Sequence, residues 1–113
     1  MTRMPTRQSE ISVLDVPERS RFEVRVGGQT AGFTHYRRRP AAIAFIHTVI
    51  DPDFEGRGLG SRLVSTAFRQ ARADGVAVLP FCPFVRSYIA GHPEYLGLVP
   101  EDMRARFDLP DHG

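Results

Sequence analysis

The stretch DPDFEGRGLGSRLV, from Asp51 to Val64, is the point at which the chain changes from a strand pattern to a helical one. Gly56, Gly58 and Gly60 occupy every second position in it. Glycine tolerates positive φ and lacks the Cβ atom that would hold another group at a distance. The spacing therefore indicates either a tight strand-to-helix turn or a place where the main chain comes very close to a ligand.

A helix is predicted over residues 58–74, because apolar residues recur there at helical spacing and polar residues fill the other side. Gly75 is expected to end it. The first amides of a helix have no partner inside it, and the helix dipole adds about half a positive charge. Such an end favours phosphate. Arg62 in the first turn is unfavourable unless an anion is bound, and Ser61 could add a hydroxyl donor.

Two common phosphate motifs do not fit this stretch. A P-loop requires a lysine, and all 15 basic residues of this chain are arginine. A dinucleotide-binding fold requires G-x-G-x-x-G after its first strand, whereas GRGLGS follows several strand patterns. A tight turn that binds no ligand remains the alternative to an anion site.

The patterns around the turn predict an α+β fold, or α/β by looser usage. Alternating segments predict an antiparallel N-terminal meander with a hairpin turn at Gly27 and Gly28. The apolar run from Ala41 to Ile50 predicts a central strand covered on both faces. The helix, a strand at residues 76–83 parallel to that central strand, and a short helix at residues 84–90 complete a β-α-β-α half. The expected domain is residues 11–100, with a flexible tail at 1–10 and a C-terminal tail at 101–113.

Composition excludes several classes of protein. The chain has 113 residues, 42% of them hydrophobic and 25% charged, which is typical of one globular domain. No stretch approaches the ~20 apolar residues of a membrane span, no apolar leader is visible, and one cysteine cannot form an internal disulfide. We therefore expect a cytoplasmic protein, a monomer or weak dimer, with no metal and no membrane partner. The net charge of +2 is too small to indicate nucleic acid.

The cluster HYRRRP (His35–Pro40) is interpreted as a solvated loop between strands, with contact to an anionic partner as the alternative.

The segment FIHTVIDPDFEGRGLGSRLVSTAFRQARADGV (Phe45–Val76) resembles the acyl-CoA motif of the GNAT acetyltransferase superfamily, which reads Q/R-x-x-G-x-G/A. The short chain, the pair His47–Thr48 and PFCPFVRSYIAGHPEY (Pro80–Tyr95) resemble its small YjdJ-type branch, over about residues 12–100. The resemblance implies an N-acetyltransferase that uses acetyl-CoA as co-substrate. It would acetylate a small amine or a protein amino group by direct transfer in a ternary complex. A non-catalytic module that binds acetyl-CoA is the alternative.

The resemblance also implies the cofactor-binding residues. Main-chain amides of the glycine turn would hold the pyrophosphate, and the edge of the preceding strand would pair with the pantetheine arm. The residues so implicated are Val49, Ile50, Glu55, Gly56, Arg57, Gly58, Leu59, Gly60, Ser61 and Arg62. Two positions depart from the pattern. Glu55 stands where the superfamily has Gln or Arg, and Val49 stands where relatives in the small branch tend to have an acid.

Three residues are candidates for the chemistry. Tyr88 resembles the superfamily tyrosine that protonates the coenzyme A thiolate, although it could simply pack on the sheet. Cys82 follows a predicted parallel strand and could act as a relay nucleophile, with an inert core cysteine as the alternative. His47 could be a general base, through a water molecule, or a hydrogen-bonded core histidine.

Overall fold

The computed structural model describes residues 10–111, which form one five-stranded sheet with two α-helices. The strands run in the spatial order β1-β2-β3-β4-β5. Short 3-10 turns connect the elements and follow the second helix. The elements are β1 (Ile11–Val16), β2 (Arg21–Val26), β3 (Gln29–Arg39), β4 (Ala42–Ile50), α1 (Leu59–Asp74), β5 (Ala77–Pro80) and α2 (Pro83–Gly91).

The predicted α+β fold with a mixed sheet is confirmed. Strands β1 to β4 pair antiparallel, and β5 pairs parallel to β4 after the α1 crossover. Gly27 and Gly28 have φ of 59° and 86°, the two positive values that a tight hairpin turn requires. The turn therefore fixes how β2 and β3 face one another.

Helix α1 packs its apolar face on the sheet, where it contacts all five strands. Seven of its residues are buried, and the ring of Phe68 meets the edge of Phe45 on β4 at 5.8 Å between centroids. Gly75 ends the helix with φ of 70° and donates its N–H to the carbonyls of Ala71 and Arg72. The helix begins one residue later than the sequence predicted.

Three expectations need correction or extension. Strand β4 is not covered on both faces, because Ile46, His47 and Val49 are exposed. HYRRRP is not a loop, because β3 continues to Arg39 and pairs with β4 throughout. Beyond residue 100 the chain forms two 3-10 turns, and Phe107 and Leu109 lie in the same core as the sheet. The N-terminal tail, apart from its last residue, lies outside the described residues.

A β-bulge in β4 determines which way its side chains point. Tyr36 pairs with Phe45 and His35 pairs with His47, so Ile46 is the extra residue on β4. Without the bulge, Phe45 and His47 would share a face. With it, Thr48 joins Phe45 on the face that α1 covers, which we call the inner face, and its hydroxyl meets that of buried Thr34 at 2.9 Å. His47 and Val49 turn to the opposite, outer face.

Within residues 10–111, no helix combines the length and the apolar character that crossing a bilayer requires. The same residues contain no group of three or more His, Cys, Asp or Glu side chains arranged to hold a metal ion.

Glu23 on β2 is a buried carboxylate, 2% exposed, held between two arginines. Arg21 and Arg25 approach it at 2.7 and 2.8 Å. The hydrogen bond from Arg25 is the main reason that the pKa of Glu23 lies below its usual value of 4.5, and Arg21 adds to the effect against the opposing cost of burial. The carboxylate is therefore charged in the folded protein.

We expect Glu23→Gln to lower the free energy of unfolding by about 1–3 kcal/mol at neutral pH, because the charge-assisted hydrogen bonds from Arg21 and Arg25 are weakened. The folded-state pKa is depressed, so the wild-type contribution is full above the unfolded-state value of 4.5 and is lost as the pH falls below it. Urea unfolding at neutral and acidic pH measures this. A difference between wild type and variant that stays constant as the pH falls would contradict the assignment.

The helices α1 and α2 touch where Gly60 faces Phe84. A Cβ built on Gly60 would lie 2.6 Å from Cζ of Phe84, which is closer than real contacts allow. We expect Gly60→Ala to forfeit most of the roughly 0.5–1 kcal/mol that alanine normally gains over glycine in a helix, because the exposed ring of Phe84 has to swing aside. In a Phe84→Ala background the full gain should appear, because the obstructing ring is gone. Thermal unfolding of the four proteins gives the coupling; purely additive effects would mean that this contact does not limit packing.

Candidate functional site

The glycine turn brings bare main chain to the start of α1. Gly56 and Gly58 have φ of 83° and 72°, and a Cβ on either would meet no atom within 4 Å. Gly58 is the N-cap, and no side chain caps the helix there. The first helical hydrogen bond runs from the amide of Arg62 to the carbonyl of Gly58, 3.2 Å. The amides of Leu59, Gly60 and Ser61 therefore point out of the helix end, with the positive pole of its dipole.

Strand β4 is longer than its parallel neighbour, which leaves part of its edge open. The chain leaves the ladder directly after β5, which ends at Pro80. The amide of Phe81 turns back to the carbonyl of Leu79 at 3.1 Å instead of pairing with β4, and Pro83 begins α2. Just before α2, the amide of Cys82 donates to the carbonyl of Phe45 on β4 at 2.9 Å. Beyond it, β4 continues to Ile50 without a strand on that side.

The main chain of this open edge can be assigned by alternation. Asp51, just after β4, donates its amide to the carbonyl of Ala31 at 2.8 Å, toward β3. Successive residues of a strand turn their N–H and C=O groups to opposite sides. By this alternation Val49 points to β3, whereas Thr48 and Ile50 point to the open side. Of the two residues implicated by the resemblance, Ile50 therefore offers its main chain, and Thr48 takes the place of Val49.

The glycine turn and the open edge of β4 border one cleft of about 370 Å³, within the ordinary size range of small-molecule sites. Phe54 and Phe84 form apolar walls. The cleft combines a helix end that favours an anion with a strand edge that can pair with an extended amide chain. A coenzyme A pyrophosphate and pantetheine arm have this chemistry, so the residues present fit that group. Its lining residues are Thr48, Ile50, Phe54, Glu55, Gly56, Gly58, Leu59, Gly60, Ser61 and Phe84.

The charged residues of the turn lie around the cleft rather than across it. Glu55, Arg57 and Arg62 are all exposed. The guanidinium of Arg57 lies over the ring of Phe54, 5.2 Å from its centroid. Of these three only Glu55 also lines the cleft, and the rest of the turn meets it mainly with peptide groups.

Cys82 is buried, with 3% of its surface exposed, and is the N-cap residue of α2. Its Sγ donates to Oγ1 of Thr48 at 3.3 Å, and Thr48 in turn meets Thr34. The thiol thus lies behind Thr48, which lines the cleft, and is hydrogen-bonded to it. This contact ties the start of α2 to the open part of β4.

Tyr88 lies on α2 but does not line the cleft. Its ring meets Phe68 edge-on at 5.9 Å and stacks on His92 at 3.9 Å. Burial raises the pKa of the Tyr88 hydroxyl above its usual value of 10, and a hydrogen bond from Ser65 opposes the change. The hydroxyl therefore keeps its proton at neutral pH.

His47 is separated from Cys82 and Tyr88 by the sheet. It is exposed on the outer face, and its ring lies 6.5 Å from that of Phe33. The alternative of a buried, hydrogen-bonded core histidine is wrong. The three catalytic candidates therefore do not form one cluster: Cys82 lies behind the cleft, Tyr88 within the helix packing and His47 across the sheet.

Sequence reasoning missed three residues that line the cleft. Thr48 was noticed only as part of a pair with His47, and its inward orientation depends on the bulge. Phe54 and Phe84 were not singled out by any pattern in the sequence. Pro83 was the available signal, since proline favours the first position of a helix and so indicates a helix start directly after β5.

Comparison with known proteins shows the family and supports the fold. The model of the GCN5-related N-acetyl-transferase family matches residues 21–98. No functionally curated protein matches in sequence. The solution structure of a GCN5-like protein from Staphylococcus aureus is similar with a TM-score of 0.61 and 18% identity, covering 82% of this chain and 89% of that one.

A second similar structure is the ribosomal-protein-alanine N-acetyltransferase from Brucella melitensis biovar Abortus 2308. Its TM-score is 0.52 at 20% identity, and the match covers 71% of this chain and 60% of that one. At these identities both structures support the fold, while the family model spans more than half of the sequence. The chain belongs to the GCN5-related N-acetyltransferase family.

Proposed function

We propose that the protein transfers an acetyl group from acetyl-CoA to an amine acceptor, directly, in a ternary complex. One observation carries the proposal: the bare amides at the start of α1 and the open edge of β4 border the same cleft. A ligand with an anionic group joined to an extended amide arm satisfies both features at once. On the pair His47–Thr48 and the segment after β5, we also assign the chain to the small YjdJ-type branch.

In this proposal, the turn from Glu55 to Ser61, followed by Arg62, holds the pyrophosphate. The glycines keep Cβ atoms out of the way, and an anion at this end offsets the unfavourable position of Arg62. The main chain of Thr48 and Ile50 pairs with the pantetheine arm. This places the acyl end toward the bulge at Ile46.

The chemistry requires orientation, a proton acceptor for the amine and a proton for the leaving thiolate. Holding both reactants in place can supply much of the rate enhancement. A free amide of β4 would stabilise negative charge on the thioester oxygen. Tyr88, protonated at neutral pH, is the proposed acid. His47 accepts the amine proton through water from the outer face.

A second candidate function is an acetyl-CoA-binding module without transfer. One specific observation favours it: among the residues that line the cleft, Glu55 is the only ionisable one. It is exposed at the turn, remote from the acyl end proposed above. Thiol release from acetyl-CoA with a broad panel of amines separates the two functions.

We expect Gly58→Ala to weaken acetyl-CoA binding at least about tenfold, because a methyl group enters the space over the first amides of α1. Isothermal titration calorimetry measures this. Gly75→Ala is the matched control, since Gly75 has nearly the same φ, 70° against 72°, at the far end of the same helix. Both variants should lose about 1–2 kcal/mol of stability through backbone strain.

Only the Gly58 variant should lose affinity. Equal binding by both variants would contradict the placement of the pyrophosphate. No heat of binding and no thermal stabilisation of wild type by millimolar acetyl-CoA would overturn the proposed function itself.

Direct transfer predicts that Cys82→Ala keeps most of the turnover and that no acetyl group accumulates on the protein, as intact-mass spectrometry can test.

Tyr88→Phe should lower kcat by about 10²-fold if the hydroxyl protonates the thiolate. Tyr95→Phe is its control, because Tyr95 belongs to the same aromatic packing, 5.9 Å from Tyr88. An acetylated Cys82, or full activity of the Tyr88 variant, would require a different mechanism.

A further inference from the structure

The outer face of the sheet is open where an acceptor has to approach. Helix α1 packs on the inner face against all five strands, and α2 joins it next to Phe68. An acceptor therefore reaches the acyl end from the outer face, beside Ile46 and His47. This step rests on the function proposed above.

The outer side of β3 carries a line of side chains leading to that point. The rings of Phe33 and His35 are neighbours on it, 6.2 Å apart, and alternation places Arg37 and Arg39 on the same side. His35 pairs with His47 across β4. Successive members of the line are about 7 Å apart, so it extends roughly 20 Å along the strand.

The charged residues of this surface are mainly arginines. Glu23 is the only acidic residue in β2, β3 and β4 together, and it is already held by Arg21 and Arg25. Arg37 and Arg39 are exposed, and no hydrogen bond or salt bridge to another described residue is found for either. Arg38, by contrast, points the other way and pairs with Asp15 at 3.2 Å. Asp51, at the end of β4, accepts a hydrogen bond from the amide of Asp53.

We propose that the acceptor is an acidic peptide segment, whose carboxylates meet Arg37 and Arg39 while its amine lies beside His47. Charge complementarity selects the class of partner, since both guanidinium groups are exposed on the side of the sheet that carries His47 and have no hydrogen bond or ion pair within residues 10–111. Exposed aliphatic side chains on the same sheet, Leu14, Ile46 and Val49, suit peptide side chains.

A single-stranded nucleic acid is less well matched to this face. Sequence-tolerant binding of that kind uses several stacking aromatic rings, and Phe33 already has the guanidinium of Arg21 over its ring at 4.4 Å. Transfer to an acceptor also requires a nucleophilic aliphatic amine, which a peptide supplies and a nucleic acid base does not. Oligonucleotide binding is therefore an outcome of the test rather than part of the proposal.

The test compares two synthetic peptides with one free amine each. In one the amine is flanked by four Glu or Asp residues, and in the other by the corresponding Gln or Asn residues. Fluorescence anisotropy measures peptide binding without acetyl-CoA, and thiol release measures turnover. We expect the acidic peptide to be favoured in both measurements, by about 3- to 10-fold, with the preference decreasing as salt is raised from about 50 to about 300 mM.

The variant Arg37→Gln/Arg39→Gln should remove most of this preference while leaving acetyl-CoA affinity unchanged. Arg69→Gln/Arg72→Gln is the matched control, because it makes the same charge change on exposed positions of α1. Melting curves of both double variants exclude misfolding as the cause of a lost preference.

Equal binding of the two peptides, or equal loss in both double variants, would overturn the inference even if acetyl-CoA binds and the protein is active. A preference for a uridine oligonucleotide over the acidic peptide would overturn it in favour of nucleic acid. Because the anisotropy measurement needs no cofactor, the inference is tested even if the proposed function fails.

Discussion

The early end of β5 is the constraint on which the rest of the site depends. Parallel pairing with β4 covers only residues 42–45 of that strand, because the amide of Phe81 turns back to the carbonyl of Leu79 and Pro83 then starts a helix. Had β5 continued, the main-chain groups of Thr48 and Ile50 would have been hydrogen-bonded to it inside the sheet. The strand edge is instead free, directly beside the start of α1.

The glycine turn completes this arrangement because its glycines have no side chains. Gly56 and Gly58 adopt positive φ at little cost, and Gly60 lets Phe84 come close enough for α2 to form a wall of the cleft. The amides at the helix end then remain uncovered without a capping side chain. Peptide groups from a strand and a helix thus converge on one space, whose shape is held by the packing of α1 and α2.

The bulge at Ile46 separates the two sides of the site. It sends Thr48 inward, where its hydroxyl joins Cys82 and Thr34, and sends His47 and Val49 outward. Around Thr48 the inner side is thereby packed, while the outer side carries arginines. In the function proposed above, cofactor binding uses one side of β4 and the acceptor approaches from the other.

The sequence alone determined the local elements, because each has a short-range physical signal. Period-two alternation predicted the strands, two adjacent glycines predicted the hairpin, and helical periodicity ending at Gly75 predicted α1. The glycine spacing also located the candidate anion site. These signals act within a few residues and do not depend on what lies elsewhere in the chain.

Only the tertiary structure decided which residues share a side of the sheet. One extra residue in β4 reverses the direction of every side chain after it, and strict alternation cannot reveal where that residue lies. The burial of Cys82, the exposure of His47 and the contact of Phe84 with Gly60 depend on pairings between distant segments. Because those pairings are long-range, the sequence specified the candidate residues but not their common geometry.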